Sequence, residues 1–251
     1  MWLVLSSSND ASALWAYQGL KSIGLEPLEH ITAESLAVGA RWEHTLGRAG
    51  VSVNATLADG RAISHTDVRG TLNCITHVPP DCLGLIHPAD REYVHQEHSS
   101  FFLSWLNALP QPIINRPTPW GLSGRWRHVS EWIYLAAKAG LPVPYYRLSG
   151  RDLSDPTSGT TRAVPPGTPV TTLIALGDAV LGAPAPPDIQ AGCRRLTDLA
   201  DTALLGVEFV AGSDGGWLFV GATAQPDLRL GGEALLTVLA RALGQHKEAE
   251  G

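Results

Sequence analysis

The chain opens on a short apolar run, WLVL (2–5), which breaks into the polar stretch Ser6–Asp10. The amphipathic segment ASALWAYQGLKSIG (11–24) reads as a helix stopped by Gly24, a residue suited to a left-handed cap. LEHIT (28–32) supplies the next strand. Strand, helix and strand in this order predict a small Rossmann-like unit. G-x-G-x-x-G is absent, so no dinucleotide site is implied. In VSVNATLADGRAISH (51–65), Val51, Val53 and Ala55 alternate and Asp59-Gly60 turns the chain, which predicts a hairpin. GTLNCIT (70–76) and PIIN (112–115) read as strands. HPADREYVHQEHSSFFLSWLNALP (87–110) reads as a long helix with Pro88 in its first turn.

In SGRWRHVSEWIYLAAKAGLPVP (123–144), Trp126, Val129, Ile133, Ala136 and Ala137 recur at helical spacing, and Gly140 with Pro142 ends the helix. Residues 149–192 are rich in Gly, Pro, Ser and Thr around one apolar strand, VTTLIAL (170–176). CRRLTDLADTALL (193–205) is helical in pattern. GVEFVAG and GWLFVGAT are two strands around a Ser213–Gly216 turn, and GGEALLTVLARALG (231–244) closes as a helix through Leu235, Leu236, Leu239 and Leu243.

Composition narrows the function classes. A chain of 251 residues, 44% apolar and with eight tryptophans, can build one large core or two small ones. Charged residues make up 17%, the net charge is −6, and lysine occurs only at Lys21, Lys138 and Lys247. The remaining basic side chains are scattered arginines, so the basic stripe of a nucleic-acid or anionic-membrane binder is missing. Cys74, Cys82 and Cys193 are odd in number and irregular in spacing, which fits free thiols in a reducing compartment. MWLVLSSSND has no basic n-region and no run approaches a membrane span, so a cytoplasmic location is expected.

Two segments together resemble the ATP-grasp superfamily, in particular its RimK-type carboxylate–amine ligases. PIINRPTPWGLSGRWRHVSEWIYLAAKAGLPVPYYRLS is similar to that family's junction between pre-ATP-grasp and ATP-grasp domains. LLGVEFVAGSDGGWLFVGATAQPDL is similar to its terminal hairpin and metal-binding strand. The resemblance implies an α/β chain: a Rossmann-like pre-ATP-grasp domain over residues 1–115, then a reduced ATP-grasp-like α+β domain over 116–251. It also implies lysines that grip ATP, and magnesium held by a hairpin acid and an E-x-N pair. Here Glu208 takes the approximate place of the hairpin acid, while Gly221 and Thr223 take the places of the pair. Glycine offers magnesium no ligand, and a threonine hydroxyl does not replace a carboxylate. The interval from Pro144 to Gly206 contains no lysine, and Arg147, Arg151 and Arg162 are not simple substitutes.

The expected function is therefore a degenerate ATP-grasp-like binding or accessory protein for a peptide or small carboxylate. It needs no cofactor and acts beside an intact ATP-grasp enzyme or as a homo-oligomer. The alternative is an ATP- and magnesium-dependent ligase in which Glu208 and Asp227 hold the metal and arginines grip the phosphates. Arg116, Trp120, Arg125, Trp126 and Arg127 form an arginine-and-indole cluster suited to a carboxylate or peptide. Equally, Trp126 could pack the helix while the arginines pair with acids. Ser7 and Asn9 follow the first strand, where such folds bind ligands, although Asn9 or Asp10 also serves as a helix cap. Asp227 and Arg229 suit an ion pair. Cys74, His77, Cys82, His95 and His98 are the densest soft-ligand set, a candidate metal segment whose spacing matches no standard zinc signature.

Overall fold

In the computed structural model, β1 (Trp2–Ser6) lies between two parallel partners, β2 (Leu28–Thr32) and β6 (Gly70–Asn73). Strand β7 (Ile113–Ile114) adds in parallel to β6, giving the order β2-β1-β6-β7. The structure describes residues 1–48, 50–79, 86–146, 167–212 and 215–244. Cys82, Arg147, Arg151, Arg162 and the Ser213–Asp214 part of the predicted turn lie outside them.

Two compact units make up the chain: Met1–Trp126 with the residues from Asp227 onward, and Arg127–Pro226. In the first, side-chain alternation sends Leu3 and Leu5 to one face of the parallel sheet. There they meet α2 (Ala33–Ala37) and α3 (Arg91–Ala108), with Phe102, Trp105 and Leu106 fully buried. Val4 and Leu72 point to the opposite face, which α1 (Ala11–Ser22) and α6 (Gly232–Gly244) cover. Gly19 lets the two helices approach, because a Cβ there would collide with Leu236. Leu235, Leu236, Leu239 and Leu243 are the buried stripe of α6, as their spacing predicts.

A separate antiparallel sheet, β3 (Arg41–Gly47), β4 (Gly50–Thr56) and β5 (Ala62–Ser64), contributes Val53, Ala55 and Ile63 to the α3 side. The β4–β5 hairpin turns at Gly60, at φ +87°, as predicted. Strand β3 and α2 are additions to the pattern reading. Strand β6 is shorter than the expected 70–76.

The carboxyl end of β6 is fixed by a buried amide. Asn73 donates from Nδ2 to the carbonyls of Asn115 (3.0 Å) and Leu122 (2.6 Å), and its Oδ1 accepts from Ile75 N–H. Ser123 Oγ donates to the Asn73 carbonyl at 2.7 Å. Asn115 ends β7 in the left-handed region, φ +58°, which asparagine tolerates better than most residues.

The second unit is an antiparallel sheet of β8 (Thr171–Leu176), β9 (Ala179–Gly182), β10 (Leu204–Ala211) and β11 (Trp217–Thr223), in the order β11-β10-β8-β9. Helices α4 (Val129–Lys138) and α5 (Pro187–Ala200) pack on one face, over Leu173, Ala175, Leu205, Val207, Phe209 and Phe219. Three expectations change here. The buried positions of α4 are Trp132 and Ala136, followed by Ala139, whereas Trp126 lies before the helix with 71% of its surface exposed. Helix α5 starts at Pro187 rather than Cys193, because proline fits a first helical turn, and it stops at Asp201 in the left-handed conformation. Strand β9 is new. Among the described residues, no helix is long and apolar enough to cross a membrane.

Replacing Asn73 with Leu leaves two buried carbonyls and one N–H without their partner. The expected loss is about 2–4 kcal/mol of stability, read by chemical unfolding with intrinsic tryptophan fluorescence.

Candidate functional site

The β10–β11 ladder decides what the expected magnesium position contains. Glu208 stands directly opposite Gly221, Val207 opposite Ala222, and Gly206 opposite Thr223. Val207 and Phe209 face the helices, so the pleat turns Glu208 to the other face of the sheet. A Cβ built on Gly221 would lie 3.0 Å from Glu208 Oε2, so the carboxylate occupies the space a side chain at 221 would enter. Thr223 Oγ1 accepts from Gln225 N–H at 3.1 Å and shapes the turn after the strand. Gly206 fits because Pro226 comes down on it: a Cβ there would be 2.7 Å from Pro226 Cβ.

Magnesium bound with a nucleotide takes several hard oxygen ligands. This position supplies one carboxylate, one hydroxyl already accepting a backbone hydrogen bond, and a glycine. No group of three His, Cys, Asp or Glu side chains able to hold a metal occurs among the described residues. The residues present do not fit the magnesium of a bound nucleotide. Asp227, the other acid considered for that role, belongs to the first unit. Arg229 binds it through Nε to Oδ1 (2.8 Å) and through a terminal nitrogen to Oδ2 (2.6 Å). Those hydrogen bonds hold the Asp227 carboxyl below its usual range.

Loop 115–126 carries the arginine-and-indole candidates of the first unit. Thr118 and Gly121 exchange backbone hydrogen bonds at 2.9 and 3.1 Å. Gly124 N–H reaches the Arg116 carbonyl at 3.2 Å, and Trp126 N–H the Trp120 carbonyl at 3.3 Å. A Cβ on Gly121 would strike the Gly124 carbonyl, so the crossing of these strands of loop requires glycine. The result displays Arg116, Trp120, Arg125 and Trp126 on the surface, with Trp120 70% exposed. From His98 to Ser130 the sequence has no acidic residue, in a chain whose net charge is −6.

Arg127 differs from its neighbours. It lies in the second unit with its side chain 6% exposed, paired to Glu131 at 3.1 Å and donating to the Ala200 carbonyl at 2.7 Å. Its guanidinium also lies over the Trp132 ring. That is a tie between α4 and the end of α5, and the cluster divides accordingly: Arg116, Trp120 and Arg125 present a surface, whereas Arg127 holds a fold.

At the carboxyl ends of the parallel strands, Ser7 Oγ donates to Asn9 Oδ1 at 3.0 Å, and Asp10 rather than Asn9 caps α1 by accepting from Ala13 N–H. Glu34 accepts from both the backbone and hydroxyl of Ser8. Burial works to raise its carboxyl, but these hydrogen bonds outweigh burial and hold it below its ordinary value. Ser12 Oγ accepts from Leu228 N–H at 2.7 Å, which brings the Asp227–Arg229 turn beside the start of α1. With acids already on the free amides, this end of the sheet does not favour an anion. Beneath it, the buried Ser6 hydroxyl and His30 Nε2 are 2.9 Å apart.

The described members of the cysteine–histidine segment, Cys74, His77, His95 and His98, form no group able to hold a metal. The Cys74 thiol is pushed up to about 12, first by burial and then by the Asp10 charge, so it stays protonated. His77 Nδ1 shares a hydrogen with Thr76 Oγ1 (2.7 Å), while His95 and His98 lie on α3. Sequence reasoning missed His30 and Asn73, polar residues within strands. A polar residue at an inward-facing strand position was the available signal.

No family model matches the chain, and no curated protein does. Solved structures do match, over nearly the full length of both chains. A RiPP-associated ATP-grasp ligase from Chryseobacterium gregarium, in complex with ADP and a leader and core peptide, aligns with TM-score 0.71 at 10% identity, covering 98% of this chain and 96% of that one. The macrocyclase MdnB from Microcystis aeruginosa MRC aligns at 0.67 and 10% identity, covering 97% and 98%. The ATP-grasp ligase PsnB, complexed with a phosphomimetic variant of a minimal precursor, Mg and ADP, aligns at 0.66 and 16% identity, covering 98% of each chain. The chain has the ATP-grasp fold in a short form, as the resemblance of its junction and hairpin implied.

Two outcomes follow. Gly221→Glu places a second carboxylate against Glu208 and is expected to cost roughly 1–2 kcal/mol at pH 7 by like-charge repulsion. Less is lost at pH 4, and thermal melts at the two pH values check this. His30 is held below its ordinary value of 6.5, mainly by burial; Asp10 pulls it up and Arg61 pushes it further down. On acidification the unfolded chain therefore takes up this proton before the folded one, and stability falls as pH drops below about 6.5. Urea midpoints for wild type and His30→Gln between pH 7.5 and 5 test it, the variant being the flatter of the two.

Proposed function

We propose that this chain is a non-catalytic binding protein on an ATP-grasp scaffold, which holds a peptide or small carboxylate and serves as accessory to an intact ligase of the same fold. The observation that carries this reading is Glu208 standing across from Gly221, with the Thr223 hydroxyl committed to its own turn. A scaffold that keeps the hairpin and drops the ligands retains surfaces without retaining magnesium chemistry. The lysine-free interval from Pro144 to Gly206 supports the same conclusion for the phosphates.

The ligand class is supported from two directions. Two of the similar structures hold peptide or precursor, by their own descriptions. In this chain, the exposed surface of loop 115–126 combines guanidinium groups with indoles and lies in an acid-free stretch of sequence. Guanidinium forks pair with carboxylates and indoles cover apolar side chains, so an acidic peptide segment suits it. The backbone hydrogen bonds that cross the loop fix the course of its main chain, which lowers the ordering cost of binding.

Calorimetric titration tests the reading. Mg-ATP is expected to give no heat and no thermal shift, and an acidic peptide is expected to quench tryptophan fluorescence. Trp120→Ala or Arg116→Ala should weaken that peptide about tenfold without lowering the melting temperature. Magnesium-dependent ATP binding at micromolar concentration, with amide formation between a carboxylate and an amine, would instead establish a ligase whose ligands have moved.

A further inference from the structure

The main chain around Arg116 is fixed on both sides. Asn115, before it, is buried in the left-handed region, and its carbonyl accepts from Asn73 Nδ2. Pro117, after it, is buried and confines Arg116 to an extended backbone. The Arg116 carbonyl accepts from Gly124 N–H. Only the side chain is left to be placed, and Asn107 places it.

Asn107 is the penultimate residue of α3, so its carbonyl has no partner within the helix. Arg116 Nη2 donates to that carbonyl at 3.4 Å, and Arg116 Nε donates to Asn107 Oδ1, also at 3.4 Å. The amide is itself oriented, because Asn107 Nδ2 donates to the Leu103 carbonyl at 3.0 Å. A guanidinium here also meets the negative end of the helix dipole. Both contacts to Arg116 are long for hydrogen bonds, so they orient the group more than they stabilise the fold.

This anchor selects the chemistry left over. Nε and Nη2 form the side-on edge of the guanidinium, and Asn107 occupies it. The parallel N–H pair across Nη1 and Nη2 remains, the end-on fork that fits a carboxylate bidentately. Arg61, Arg127 and Arg229 each hold a carboxylate of this chain. Arg116 is instead tied to an amide oxygen and a backbone carbonyl, neither of which cancels its charge. Asn107 is half-buried and Arg116 exposed, so the support is inside and the fork is open to a ligand.

We propose, on the reading that this surface holds an acidic peptide, that Asn107 is its positioning residue. By taking the side-on edge of Arg116, it leaves the end-on fork, still charged, for a glutamate or aspartate side chain of the ligand. The exposed indole of Trp120 then covers an apolar side chain of the same peptide. Aspartate in place of Asn107 would grip the guanidinium more tightly and cancel the charge that the ligand needs. Asparagine orients without neutralising, and the position requires both properties.

Titration of a short peptide of glutamates interspersed with leucine and serine, followed by tryptophan fluorescence, tests this together with nitrogen–proton spectra of the arginine side chains. In wild type the Arg116 Nε–H is expected to exchange with water more slowly than in Asn107→Ala. That variant should also weaken the peptide about three- to tenfold, with the melting temperature unchanged. Asn107→Asp should keep the slow exchange and yet weaken the peptide about tenfold or more. A merely structural contact would tolerate aspartate, so this variant separates the two roles. Arg116→Lys keeps the charge without the fork and should bind as poorly as Arg116→Ala. Exchanging the peptide's glutamates for glutamine should weaken binding to wild type by the same factor and leave Asn107→Asp indifferent. Wild-type affinity in Asn107→Asp or in Arg116→Lys overturns the proposal. If Trp120→Ala weakens the peptide while the Asn107 variants do not, the positioning role fails and the peptide surface stands. If wild type binds no glutamate peptide, both fall. Should Asn107→Ala fail to fold, Asn107→Asp and Arg116→Lys decide.

Discussion

A single buried carboxamide, Asn73, holds together three backbone segments just past the point where the β6–β7 ladder ends. Its two N–H groups reach carbonyls on both sides of the 115–123 loop, and its oxygen takes the N–H that begins the chain after β6. Inside a protein such groups cost several kcal/mol when left unpaired, and here each is paired. The consequence reaches the surface. Loop 115–126 is cross-braced by its own backbone hydrogen bonds, and Asn73 with Ser123 ties that braced loop to the sheet. The exposed indole of Trp120 is thus presented on a support that traces back to the sheet's interior.

In the second unit the governing constraint is register. Pairing Glu208 with Gly221 puts the remaining carboxylate where a second side chain would have stood, and the register shift between Glu208 and Phe209 lets this happen with Val207, Phe209 and Phe219 all in the core. The core of that unit thus keeps the hairpin in place whether or not the hairpin holds a metal. Packing and chemistry are separable here because they occupy opposite faces of one sheet.

Much of the fold was legible because its elements have strong periods: β1, α1 and β2 at the start, the hairpin at Gly60, and the leucine stripe of α6. Strand β3 was not, because His44 sits at an inward-facing position and Arg41 and Glu43 alternate with Trp42 in a way that suggests a loop. Helix α5 was read too late because Pro186, Pro187 and Asp188 look like breakers, although proline and aspartate suit a helix start. The stripe assigned to α4 was displaced by Trp126, an indole that belongs to the loop before it. For the candidate site, the resemblance picked out Glu208 and Gly221 but not their pairing: counting from the turn sets Glu208 against Val220, and the register shift before Phe209 moves it to Gly221. The partners of Asn73 and Arg127 could not be read, since each bonds to carbonyls dozens of residues away, and backbone carbonyls carry no sequence signature.

The route of the chain gives the first unit an unusual place in the order of synthesis. Helix α1 is made before the second unit and α6, which covers it, after the second unit. On the ribosome the apolar flank of α1 must wait, uncovered, while residues 127–226 emerge. The second unit, whose strands and helices are contiguous in sequence, has every contact it needs before then. A helix made before residues 127–226 is therefore covered by one made after them, and the nascent first unit is most in need of shielding at α1.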